Sequence, residues 1–276
     1  MQPSINNDWL TYSPSTLISH DSELHYADKL LAFYQKALYE TPRALKFVTQ
    51  DLGLSDESLL AKFSVGFCDR KFPIELPSTD TLEGEMARGF YERLGIINGL
   101  TGHEAFRGMI FVPLFDNNGE LIGGYGQRIE KYPLSQRGDT LWSLAHGVDG
   151  YFFNQQILGS YNQIVLCESP FDVLSFNLGG VINAISLLDF TYFDDEHLCQ
   201  LLEHNVREVT LAFSRTPRGD RYVAHVRRKL LEVDIKVKKL EMVVGESVNS
   251  LWAQSQRFGF VLSELNGHQR CHKNYH

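Results

Sequence analysis

Cysteine is scarce and scattered: the 276 residues hold four, Cys68, Cys167, Cys199 and Cys271, with no CxxC pair and no histidine at ligand-like spacing beside them. Neither a zinc module nor a disulfide framework is indicated, and a reduced, cytoplasmic protein is the simple expectation. Long apolar runs are missing as well. No stretch approaches the roughly eighteen residues of a membrane span, and the opening MQPSINNDWLTYSPST lacks the basic-then-apolar order of a secretion signal. A surplus of positive charge is also absent, since 26 Lys and Arg stand against 34 Asp and Glu, a formal net charge of −8. That balance opposes nonspecific attraction to a polyanion over the whole surface, so any nucleic-acid contact has to be local. The histidine-bearing end, NGHQRCHKNYH, is polar enough to read as a frayed terminus and not as a metal site.

What the chain does have is 43% hydrophobic and 12% aromatic content, enough for a core in one large or two ordinary domains. Residues 1–22 read as a polar arm. Leu24, Ala27, Leu30, Leu31, Tyr34, Ala37 and Leu38 then fall at helical spacing, and Thr41-Pro42 ends that helix or starts another. A helix stopping at Gly53, a helix start at Ser55-Asp56-Glu57 and a short strand over 65–67 follow. Two apolar runs, 109–115 and 121–122, flank Asp116-Asn117-Asn118-Gly119, which predicts an antiparallel hairpin.

From residue 161 the pattern changes to strands alternating with helices. Strands are expected over 164–166, 181–186, 209–213 and 235–239, and helices over 172–178, 194–202 and 221–231. This is a parallel, doubly wound pattern whose ligand crevice lies at the carboxyl ends of the strands. Glu168, in IVLCESPFDVLSF, and the Ser214 to Thr216 turn, in VTLAFSRTPRGDRY, both fall there.

Taken in order, these segments resemble the catalytic core of the bacterial replicative primase family over roughly residues 28–255. TPRALKFVTQDLGLSDESLLAKFSVGF resembles its helical lead-in, FRGMIFVPLFDNNGELIGGYGQRI its hairpin, KYPLSQRGDTLW its Pro-Lys-Tyr-x-Asn-Ser region, and LCESPFDVLSF the Val-Glu-Gly-Tyr-x-Asp-Val motif that opens a toprim domain. The resemblance implies a mixed α+β and α/β fold. A small helical and antiparallel-β subdomain, residues 23–160, would precede a toprim-like parallel α/β subdomain, 161–255, with a tail at 256–276. The family's zinc-binding module and helicase-binding domain are not expected on this chain.

The departures bear on function. In the family, an Asp-x-Asp at the third toprim strand joins the motif Glu in holding divalent metal; here the run is Ser214-Arg215-Thr216-Pro217-Arg218-Gly219. A later acidic pair corresponds to Ser247 and Asn249, so of five acidic positions only Glu168 is kept. Phosphoryl transfer needs cations held by several shared carboxylates. Glu168 therefore reads as a residual catalytic group with a weak or lost metal site, completed only by a substrate phosphate or an acid from elsewhere, or else as a remnant capped by backbone amides. Asp172, one helical turn on, either assists it or serves as a first-turn acid favourable to the helix dipole.

Among phosphate-handling positions the resemblance implies Arg107 and Arg128, with Lys131 replacing the lysine of Pro-Lys-Tyr in shifted register; a later family lysine aligns with Leu144. Arg215 and Arg218 invert the charge of the acid-bearing turn, either by pairing with Glu168 in place of a cation or by holding a phosphate at the following helix start. Residues 206–240 carry ten Lys or Arg against four Asp or Glu. Arg221, Arg227 and Arg228 on the expected helix make either a nucleic-acid or acidic-partner face or an ordinary solvated one. GGYGQR lacks the full glycine fingerprint of a phosphate loop. Phe106, Phe111 and the YFF at 151–153 read as core, His103, His146 and His197 as isolated surface or satisfied histidines, and FDDEH as a capped helix start.

The expectation is a primase-like toprim protein, of DNA replication or of a mobile element or phage, whose metal site has decayed. It would act by binding single-stranded DNA, RNA or a replication protein such as a helicase, with no cofactor. One alternative is a working primase, a DNA-directed RNA polymerase making short primers with Mg2+ or Mn2+ in an unusual arrangement. A toprim nuclease would want the same missing acids.

Overall fold

The helical spacing near the start becomes α1 (His20–Glu40), whose inward side chains Leu30, Tyr34 and Leu38 are wholly buried. The computed structural model describes residues 20–130, 140–146, 148–188 and 193–254. Thr41-Pro42 both ends α1 and opens α2 (Pro42–Lys46), with Pro42 in the first turn, where its missing N–H costs nothing. A π-helical turn (Phe47–Asp51) carries the chain to Gly53, which takes φ +67 to reverse it. Asp56 caps α3 (Glu57–Lys62) by accepting the Ser58 and Leu59 amides, and β1 (Gly66–Phe67) follows. Helix α4 (Leu82–Arg93), capped by Thr81, was not among the sequence expectations.

β2 (Met109–Phe115) and β3 (Leu121–Arg128) form the expected hairpin around Asp116, and β4 (Thr140–Leu144), in the region read only as a motif, adds a further strand. The four pair antiparallel in the order β1-β2-β3-β4. β2 is buried on both faces: Ile110, Val112 and Leu114 join one core, Met109 and Phe111 another. The glycines of GGYGQR serve this packing, because a Cβ on Gly124 would lie 2.2 Å from the Phe111 ring and one on Gly126 2.7 Å from Phe106.

The second half runs β5 (Gln163–Cys167), α5 (Pro170–Leu178), β6 (Ala184–Ser186), α6 (Asp195–Glu203), β7 (Glu208–Ala212), α7 (Pro217–Glu232), β8 (Lys236–Lys239) and α8 (Val248–Ala253). Its sheet is parallel in the order β6-β5-β7-β8. Alternation along β5 sends Val165 and Cys167 into the core shared with the first sheet and Ile164 and Leu166 into a core beneath α7. Asp194 and His197 make a capping box at α6, so His197 is buried and satisfied, while His103 and His146 are exposed. Phe106, Phe111, Tyr151, Phe152 and Phe153 are core residues. No helix among the described residues is long and apolar enough to cross a membrane.

Candidate functional site at the parallel strand ends

β5 ends at Cys167 and α5 starts at Pro170, which leaves Glu168 and Ser169 to turn the chain at the carboxyl edge of the sheet. Ser169 caps α5 and Pro170 occupies its first turn, a residue pair suited to a tight strand-to-helix junction. On the neighbouring strand, the turn after β7 is bound to residues 244–245: Arg215 bridges Val244, and the Gly245 amide donates to the Arg215 carbonyl at 3.1 Å. Gly219 closes this turn, since a Cβ there would lie 2.3 Å from the Ser214 carbonyl oxygen.

Glu168 and Ser214 meet across this edge. The Ser214 hydroxyl donates to Glu168 Oε1 at 2.8 Å, and the Ser214 main chain adds a second hydrogen bond. Burial, and then the neighbouring Asp172 charge, push Glu168 up to about 7, against the lowering effect of both Ser214 hydrogen bonds. For Arg215 the expected pairing with Glu168 is therefore corrected. Arg215 is exposed, with its backbone fixed by the bridge to Val244, and among the described side chains the partner of Glu168 is a neutral hydroxyl. The side chain of Arg218 and the whole of Lys131 lie outside the described residues.

Asp172 is 1% exposed, and its carboxylate is fully engaged. Oδ2 accepts the Ser169 amide and hydroxyl at 3.1 and 2.9 Å, and Oδ1 accepts the Asn249 amide at 2.8 Å. Burial raises its pKa, while the hydrogen bonds from Asn249, Ser169 and Ser247 lower it. Asp172 forms a capping box with Ser169 at the start of α5.

The other positions where acids would stand are also tied into neutral hydrogen bonds. Thr216 caps α7 by accepting the Gly219 amide at 2.9 Å. Ser247 caps α8 in a box with Ser250. Asn249 donates through Nδ2 to the Leu52 carbonyl and the Ser175 hydroxyl, each at 2.9 Å, and Trp252 donates to the Gly53 carbonyl at 2.8 Å. α8 thus ties the end of the helical lead-in to α5. The significance of these neutral side chains was visible in the sequence as missing acids; their partners, distant in the chain, were not.

The resemblance implies a divalent cation at these strand ends, and the donors present do not fit one. A hard cation wants several charged or carbonyl oxygens converging on one point. Here the free-facing carboxylate is desolvated and titrates near neutrality, the second is saturated by N–H and O–H donors, and the remaining positions offer hydroxyl and amide groups already spent on caps. Among the described residues no three His, Cys, Asp or Glu side chains gather closely enough to hold a metal ion.

The basic residues fall in two other places. Arg128 donates to the Arg107 carbonyl at 3.4 Å beside a cleft of about 320 Å³ lined by Thr41, Arg43, Arg70, Gly108 and Arg128, on the first sheet. Among the described residues the Arg128 Nε has no partner there and is buried. Arg70 and Arg43 were not singled out from sequence. The second place is α7, whose inner face is Val223, Val226 and Leu230 and whose outer face carries Arg221, Arg227 and Arg228. Much of the basic surplus around it is neutralised: Lys229 pairs with Asp195, Lys239 with Asp220, and Lys236 and Lys238 both with Glu208. Burial raises the Glu208 carboxyl, and the two lysines outweigh it, holding it below the usual range. Arg228 reaches Glu232 only at 3.9 Å, and Arg207, Arg215, Arg221 and Arg227 have no ion pair among the described residues.

Comparison with known proteins agrees with this geometry. The family model of the toprim domain matches residues 162–241. No curated protein matches the chain in sequence. The Aquifex aeolicus primase structure, comprising zinc-binding and RNA polymerase domains, superposes with a TM-score of 0.70 at 18% identity, covering 91% of this chain and 62% of that one. A DNA primase domain from Pseudomonas aeruginosa gives 0.71 at 20% identity, covering 88% and 78%. A primase catalytic domain bound to single-stranded DNA gives 0.69 at 18%, covering 89% and 77%. The chain thus has the fold of the bacterial primase catalytic core, its parallel half matching the toprim-domain model, and spans under two thirds of the Aquifex protein's length in that structure.

Proposed function

We propose that this protein is a nucleic-acid-binding form of the primase core that does not carry out cation-dependent nucleotidyl transfer. The observation that carries the reading is the Glu168 to Ser214 hydrogen bond: the strand-end carboxylate that would share a metal shares a hydroxyl proton instead, and is pushed toward its neutral form. Binding would rest on local positive charge, as the net charge of −8 requires. The outer face of α7 supplies it, together with Arg70 and Arg128 in the cleft of the first sheet, where Asp69 and Glu130 offset part of the charge and Glu130 pairs with Arg43, and the DNA-bound primase domain of the same fold supports the choice of polyanion. Titration of a fluorescein-labelled single-stranded oligonucleotide in EDTA tests the binding half. The expected result is salt-sensitive binding without divalent ions, and no binding at low salt would overturn it.

A further inference from the structure

The first sheet turns one face toward the toprim domain. On β2 and β3 that face is covered: Val112 and Tyr125 belong to the shared core, and Tyr125 meets Phe171 of α5 edge-on, with ring centroids 6.0 Å apart. β4 continues the same face, with Trp142 opposite Tyr125 in register and Leu144 two residues on. There the cover ends, and Trp142 is 43% exposed. Its indole lines a groove of about 530 Å³ whose walls include Leu144 and Leu188, with Arg93, His146 and Asp149 among the ionisable groups on it. Leu188 follows β6, the neighbour of the strand whose end bears Glu168, so the groove opens along the carboxyl edge of the parallel sheet, the usual ligand side of such sheets.

A large aromatic left open in a concave, mostly apolar site marks a binding surface, and the volume is of the size that holds one small flat ligand. The indole offers a stacking face that every nucleobase can use, while the imidazole of His146 and the guanidinium of Arg93, half-exposed beside its partner Glu23, line the same groove as donors for a backbone phosphate. We propose that this groove takes an unstacked base of a single-stranded nucleic acid, with Trp142 as the platform. The proposal rests on the nucleic-acid reading above and adds where a base is held.

The test measures anisotropy of labelled oligo-dT and of a matched duplex with the full chain. Trp142→Ala should weaken oligo-dT binding on the order of 5- to 150-fold, Trp142→Phe should restore most of it, and duplex binding should change little because paired bases stay stacked. In a Trp9→Phe, Trp252→Phe background, which isolates the Trp142 emission, oligo-dT should quench it; this readout holds even if Trp142→Ala folds poorly. Wild-type affinity in a folded Trp142→Ala, or unquenched Trp142 emission at saturating oligo-dT, would overturn the groove while leaving nucleic-acid binding in place. Failure of the wild-type protein to bind any oligonucleotide would instead overturn the broader reading.

Discussion

Glu168 decides the chemistry of the strand ends. A carboxyl held near 7 in the fold and at about 4.5 in the unfolded chain binds its proton more tightly when folded, so its contribution favours folding below 4.5 and is lost as pH rises through 7. Glu168→Gln keeps an acceptor for Ser214 and removes this loss. Above pH 8 the variant should be more stable than wild type by about 2–3 kcal/mol, with the difference vanishing toward pH 4.5, as read from urea unfolding at a series of pH values. An unchanged pH profile would show that Glu168 is ionised and solvated. Asn249 gives the opposite test. Its amide donates to the Leu52 carbonyl and the Ser175 hydroxyl, so Asn249→Asp would set a carboxylate oxygen against that carbonyl. Restoring the acid should destabilise the fold by about 1–3 kcal/mol, and Mg2+ should not recover the loss.

Legibility differed between elements for physical reasons. The strands and helices from β5 to β8 were readable because each is an apolar run or an amphipathic repeat bounded by a polar turn. α4 was not legible although Thr81 and Glu83 mark a capped start, because Gly84 and Gly89 interrupt it and Leu82 is exposed, which leaves Ala87, Phe90 and Tyr91 as a short apolar stripe. β4 was missed because Leu141 and Trp142, the residues that would signal burial, are both exposed in an outer strand of the first sheet. The acid-bearing crevice was legible only as a list of absences. That Ser214 reaches back 46 residues to Glu168, and Asn249 197 residues to Leu52, is a product of sheet order and α8 docking, which local sequence does not encode. The charge run over 206–240 overstated the basic face, since four of its lysines are paired. What remains on α7 is arginine. Arg227→Ala should lower the slope of log affinity against log salt by about 1 and leave the melting temperature unchanged, as measured by anisotropy and thermal melting. An unaltered slope would make that face a merely solvated one.

At the scale of the molecule, a single core joins both sheets, with α8 fixed to α5 and to the helical lead-in by side-chain hydrogen bonds where a metal-bearing toprim edge would present acids. With Glu168 pushed toward its neutral form and Asp172 saturated by N–H and O–H donors, such an edge needs no cation to offset the repulsion between these two carboxylates. EDTA and 10 mM-scale Mg2+ should therefore give the same melting temperature to within a degree or so, because a ligand that does not bind the native state cannot stabilise it. The most direct measurement is incorporation of labelled ribonucleotides on a single-stranded template that the protein binds, with Mg2+ or Mn2+ present. Strand ends that hold no cation should give template binding with no primer product. Primer synthesis by the wild-type protein that disappears in Glu168→Gln would contradict it and would make the strand-end carboxylate a working catalytic group.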